Sequence, residues 1–237
     1  MSRLPNILSI AVLVFSLALV AISIAVIYLT AHGIQLTQDA APAGRHTWYR
    51  GPNWDPDNKS QIELKYDSAN EGVIIAGAVV ALFTGLTSTV GYFFTRETSK
   101  PGGSKSILSL LLLPSTIATI VTIIALIFSS IIYSTDNSGS CWWENGYNNG
   151  ATLTCTRELA TCNIAKYFVD IDRSKLNPAC GPAQTGRHLV AALFGVSGAL
   201  LGVSGAKFLL SRSQPNDFVE TADERVARLQ RGNGDGY

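Results

Sequence analysis

Charge is what this chain has least of. Only 15% of its 237 residues are Asp, Glu, Lys or Arg, against 47% hydrophobic, a ratio too poor in charge for an ordinary soluble domain. The shortage is also local: residues 7–30, 73–95, 106–133 and 189–206 contain no charged side chain at all. Other things are missing with equal consequence. No Cys-x-x-Cys spacing, no glycine-rich phosphate loop and no nucleophile with a base beside it can be found, so zinc, nucleotide and nucleophilic chemistry have no motif to rest on. With a net charge of +1 and no basic tract, nucleic acid is not an expected partner. The apolar stretches lack the ionisable residues that pumps, proton-coupled carriers and voltage sensors use within a membrane.

What is present is four runs that each reach the roughly 20 apolar residues an α-helix needs to cross a hydrocarbon core of about 30 Å. The fourth reaches that length only if Arg187, His188 and Lys207 lie at the interfaces with their stems turned outward. The expected architecture is therefore all-α, a four-helix transmembrane bundle with spans at 7–30, 73–95, 106–133 and 188–210. The first run is longer than the roughly 7–15 residues of a signal peptide's apolar core and no small-x-small cleavage site follows, so it reads as a signal anchor. No cofactor is expected, and the chain is not read as an enzyme.

Four spans place both termini on one side. Residues 1–6, 96–105 and 207–237 carry nine of the 18 Lys and Arg in 47 residues, while 32–71 and 134–187 carry nine in 94, which puts the termini in the cytoplasm. Two further features agree. Cys141, Cys155, Cys162 and Cys180 all fall in the second long connection, as disulfides in an oxidising compartment would. A single Asn-x-Ser sequon, at Asn58, falls in the first, making that residue a glycosylation candidate. Loop 31–72 and loop 134–187 are thus expected to form a small disulfide-stapled extracytoplasmic cap. The chain is expected in the plasma membrane or another membrane of the secretory pathway.

All four tryptophans, Trp48, Trp54, Trp142 and Trp143, lie in these outer loops, where an indole ring packs at a partly wet interface or contacts a partner. A stacking platform of Trp142, Trp143 and Tyr147 would need adjacent residues to face one way, which a strand forbids. Residues 156–168 have strong helix formers. As a helix they would hold Cys155 and Cys162 roughly 10 Å apart, too far to bond, and each would staple a different flank. Sequential pairing is preferred over the interleaved one. Asp55, Asp57 and Glu63 gather acid, but an EF-hand needs glycine where Ser60 stands, and no metal site is expected.

Small residues mark two helix faces as packing seams: Ala191, Gly195, Gly198, Gly202 and Gly205 in the fourth span, and Gly77, Ala81, Gly85 and Ser88 in the second. Both seams are expected to meet neighbours inside the bundle, with homo-oligomerisation or a membrane-protein partner as the alternative. Hydroxyls in spans two and three could line a polar path, and Pro114 is expected to kink span three. The inner turn holds Pro101, Gly102 and Gly103. Tail residues 211–237 include a short amphipathic helix able to meet a membrane surface or a cytoplasmic partner.

This layout resembles the MARVEL and claudin-like tetraspan proteins in topology and length. The claudin pattern puts a cysteine pair with its tryptophans in the first outer loop, and here Trp48 and Trp54 have no cysteine beside them. The doubled cysteine of tetraspanins is also missing at Cys180. The resemblance implies membrane organisation or trafficking and carries over no residue. The function expected is that of a non-enzymatic tetraspan scaffold making lateral or surface contacts among membrane lipids and proteins. An accessory subunit of a larger membrane enzyme or transporter, or a small channel, is the alternative.

Overall fold

The computed structural model describes residues 4–49, 59–97, 104–137, 141–145 and 149–213. Outside them lie Trp54, Asp55, Asp57, Asn58, the turn at Pro101, Gly102 and Gly103, Tyr147, and the expected helix of the tail. Four long helices dominate: α1 (Leu4–Ala40), α2 (Ala69–Glu97), α3 (Ser104–Asn137) and α5 (Arg173–Ser213). Each contains a stretch long and apolar enough to cross a membrane. Packing runs round a ring, α1 on α2 and α5, and α3 on α2 and α5.

The inner faces follow a seven-residue repeat. On α1, Val12, Leu19, Val26 and Ala40 keep that spacing, and so do Ser16, Ser23, Thr30 and Thr37, all buried. Such a repeat keeps one seam facing its neighbours through left-handed packing. On α3, Ser115, Ala118, Thr122, Ala125 and Ser129 step by three and four, and on α5 Val190, Leu193, Ser197, Leu200 and Ser204 do likewise. The interior thus combines small and hydroxyl side chains with Val12, Leu19, Val26, Val190, Leu193 and Leu200, while other Ile, Leu, Val and Phe side chains project outward. Hydroxyls inside bond mostly to their own helix: Ser16 to the Val12 carbonyl (2.7 Å), Ser23 to Leu19 (2.6 Å), Thr119 to Ser115 (2.8 Å). Between helices, Thr122 bonds with Ser197 (3.0 Å) and the Thr84 hydroxyl donates to the Pro114 carbonyl (3.2 Å). Pro114 lies within a continuous α3.

The all-α expectation is corrected by the cap, which is built on a four-stranded sheet. Strands β1 (Gly44–Tyr49), β2 (Lys59–Asp67), β3 (Trp142–Glu144) and β4 (Thr152–Thr156) lie in the order β1-β2-β4-β3. The physical reason is period-two alternation: Ser60, Ile62 and Leu64 turn inward while Lys59, Gln61, Glu63 and Lys65 face out. The β2–β4 pair is parallel, with Leu64 opposite Leu153, so the two outer connections are hydrogen-bonded into one sheet. Gly150, at φ +85°, supplies the turn into β4, and its N–H donates to the Gln61 carbonyl at 2.7 Å.

Two boundaries also shift. α1 runs ten residues beyond the expected end of its span, and α5 begins at Arg173, passing through Pro178 and Pro182. The helix expected over 156–168 is present as a composite: α4 (Arg157–Leu159), a π stretch (Ala160–Ile164) and a 3-10 turn (Ala165–Tyr167). Thr156 caps it, accepting from the Leu159 N–H, and Cys155 belongs to β4.

Candidate functional site

The cap has its own core. Ile62, Leu64, Leu153, Phe168 and Ala179 are buried together with Cys141 and Cys155. Disulfides join Cys141 to Cys155 and Cys162 to Cys180, the sequential pairing. The first ties the approach to β3 onto β4, and the second ties the π stretch onto α5. His46 on β1 sits among these groups with both ring nitrogens facing acceptors, Asp170 Oδ2 at 2.9 Å and the Pro42 carbonyl at 2.7 Å.

The tryptophans divide by strand geometry. Trp48 and Trp143 meet edge to face, with centroids 5.6 Å apart, and Trp48 also packs on Phe168 at 5.4 Å. Trp142, on the opposite face of β3, is 72% exposed. Trp142 and Trp143 therefore do not share one face, and among the described tryptophans Trp142 is the exposed one.

The small-residue faces also divide. A Cβ on Gly77 would lie 3.3 Å from the Ala125 side chain, and one on Gly85 would lie 2.9 Å from the Ser16 carbonyl oxygen. Ala81 and Ser88 are buried on the same seam. By contrast, a Cβ on Gly195, Gly198, Gly202 or Gly205 would meet nothing within 4 Å, and Ala191 is exposed. The expectation that this second face packs inside the bundle is therefore corrected. The buried positions of α5 fall at Val190, Leu193, Ser197, Leu200 and Ser204, which turns the glycines outward.

Between cap and bundle lies a feature that no motif in the sequence announces. Glu71, in the first turn of α2, pairs with Arg157 of α4 at 3.4 Å. One residue on, Glu158 pairs with Arg187 of α5 at 3.1 Å. Their side chains are only 10–14% exposed. Arg187, expected to turn outward, points inward instead because Glu158 offers it a buried counter-charge. The Arg157 guanidinium also lies over the Tyr66 ring at 5.2 Å. Burial pushes the Tyr66 phenol far above its usual range, with Arg157 opposing. Its hydroxyl donates to the Ala41 carbonyl.

These groups surround a chamber of about 30 Å³ whose walls come from α1, α2, α4 and α5. Thr30 and Asn70 line it beside the charges. Gly186 lets α5 close against Thr30, since a Cβ there would lie 3.1 Å from the Thr30 hydroxyl. Sequence reasoning passed over this site because its members lie far apart in the chain. The one local hint is that Glu71 and Arg187 each stand at the outer edge of an apolar run. Among the described residues, no group of three or more His, Cys, Asp or Glu is placed to hold a metal ion.

No protein-family model matches the chain, and no curated protein or solved structure matches it either.

Proposed function

We propose that this chain is a non-enzymatic four-span membrane protein that works by lateral contact with other membrane proteins, its termini in the cytoplasm and its stapled cap outside. The observation that carries this reading is the contrast among outward helix faces. Exposed large apolar side chains line α1 (Ile10, Leu17 and Ile24), α2 (Phe83 and Val90) and α3 (Ile117 and Ile124), as a lipid-facing surface requires. On α5 no such side chain is exposed before Leu209, and glycines stand there instead. Glycine costs a helix about 1 kcal/mol relative to alanine, and inside lipid its compensation is close backbone contact with a second helix. This chain supplies no such contact at these positions.

The orientation is supported by the distribution of Lys and Arg and by two disulfides confined to the cap. Resemblance in layout to MARVEL and claudin-like proteins points the same way. The channel alternative draws less support, because the bundle's hydroxyls turn mostly to carbonyls of their own helices. An accessory subunit would use the same α5 face, and the two readings part on stoichiometry.

The test is native mass measurement after mild detergent extraction, comparing the natural chain with a Gly198→Leu/Gly202→Leu variant. Assembly lost with helicity and thermal midpoint unchanged supports lateral contact through α5. Unchanged assembly, or a monomeric natural chain, overturns it. One stoichiometric enzyme or transporter as the sole partner favours the subunit reading.

A further inference from the structure

The chamber between cap and bundle is lined by polar atoms that the chain itself does not satisfy. The Thr30 hydroxyl, Asn70 Oδ1, Glu71 Oε2 and Arg157 Nε are buried without a hydrogen-bond partner in the chain, while Arg157 Nη1 reaches only the other Glu71 oxygen, at 3.4 Å. Thr30 and Asn70 are only 7% and 8% exposed. Each such group left unmet costs about 1–3 kcal/mol, so four residues converging on one space imply a ligand rather than four separate losses.

The chemistry of that ligand follows from the set. A cation would meet Asn70 Oδ1 and Glu71 Oε2 but also the Arg157 guanidinium. An anion would suit Arg157 and be repelled by Glu71. An apolar molecule would satisfy none of them. Only a group that both donates and accepts at close range completes donors and acceptors together. The chamber's 30 Å³ is room for about two water molecules, each needing roughly 10–15 Å³ of such space and two to four polar partners.

We propose that this chamber is a built water-binding site, holding about two ordered molecules that complete the hydrogen bonding of Thr30, Asn70, Glu71 and Arg157 and so couple the cap to the bundle. Thr30 belongs to α1, Asn70 and Glu71 to α2, and Arg157 to the cap's helical passage. The waters therefore bridge α1, α2 and the cap's helical passage, alongside the direct Glu71–Arg157 pair. A hydrated pocket also screens the two ion pairs, easing the desolvation that burial imposes on them.

Hydroxyl-radical footprinting of the full chain in lipid nanodiscs tests the proposal, because radicals formed from bound water oxidise side chains that bulk solvent cannot reach. Ile74 lines the chamber and Val12 lies in the bundle, and both are 4% exposed. Ile74 is expected to be oxidised severalfold faster than Val12, at the same rate in sodium chloride as in N-methylglucamine gluconate. A Thr30→Val/Asn70→Leu variant should bring Ile74 down to the rate of Val12. Equal rates in the natural chain would show a dry chamber and overturn the proposal without any variant having to fold. A rate or thermal midpoint that follows the identity of the small ion would overturn it in favour of a bound ion.

Discussion

Burial keeps the Tyr66 phenol neutral well beyond the pH at which a free tyrosine ionises, and Arg157 only partly offsets it. A folded value above the unfolded one, about 10, means the stabilisation is fully present below pH 10 and is lost as pH rises beyond it. The cap should therefore loosen at strongly alkaline pH, with Tyr66 ionising only as tertiary structure is lost. Absorbance of tyrosinate and near-ultraviolet circular dichroism should change together, and a Tyr66→Phe variant should lack the shared step. That variant also strands the Ala41 carbonyl, so its unfolding free energy should fall by about 1–3 kcal/mol. The neighbouring pair makes a second case. Glu158→Ala removes the carboxylate that the buried Arg187 meets at 3.1 Å, an expected loss of about 3–5 kcal/mol by thermal or denaturant unfolding. Glu158→Leu/Arg187→Met removes both charges and should recover most of that loss, which separates ion pairing from mere volume.

At the scale of elements, the two small-residue seams make opposite predictions from the same mutation. Gly85→Ala would bring a Cβ to 2.7 Å from Val20 and 2.9 Å from the Ser16 carbonyl, so α1 and α2 must move apart. Overpacking of this kind costs about 1–3 kcal/mol, visible as a lowered thermal midpoint. Gly202→Ala meets no atom within 4 Å and should leave the isolated chain's midpoint unchanged or slightly raised, since alanine is the better helix former. A similar loss at both positions would count against the outward placement of the α5 glycines. Composition alone marked both seams, but which one turns inward depends on where Val190, Leu193 and Ser197 place the buried side of α5. The four helices were legible because charge is excluded from long runs. The sheet was missed, although Ser60, Ile62 and Leu64 alternate with Lys59, Gln61 and Glu63. Short strands in a connection rich in turn residues give few periods to count, and β2 becomes compelling only beside β4, 89 residues further on, where Glu63 faces Thr152 and Leu64 faces Leu153. The chamber was illegible for a stronger reason: it joins residues 30, 70, 71, 157 and 187, and only the folded chain brings them together.

For the molecule as a whole, the outward apolar side chains set where a bilayer can sit. Among the described side chains of α1 they run from Ile7 to Tyr28, an axial distance of about 32 Å at 1.5 Å per residue, close to the thickness of a hydrocarbon core. Among the described side chains of α3 they run from Leu113 to Ile131, about 27 Å. The helices themselves are longer: α1 continues to Ala40, and α5 starts at Arg173, well before its apolar run. If the bilayer follows the apolar girdle, the last turns of α1 and the first of α5 stand clear of it and carry the sheet, with the ion pairs at the boundary. That placement explains how four charged side chains can be buried by protein without being immersed in hydrocarbon, where each would cost far more. Nitroxides at Leu17 and Gln38 in reconstituted protein should test it. Leu17 is 52% exposed within the girdle, and Gln38 is exposed nearly three turns beyond its edge. Oxygen should relax the label at Leu17 more strongly than a water-soluble nickel chelate does, with the reverse order at Gln38. The same order at both positions would mean that the bilayer covers the full length of α1, and the cap would then have to lie within the membrane, where its sheet edges and charged strand faces could not be satisfied.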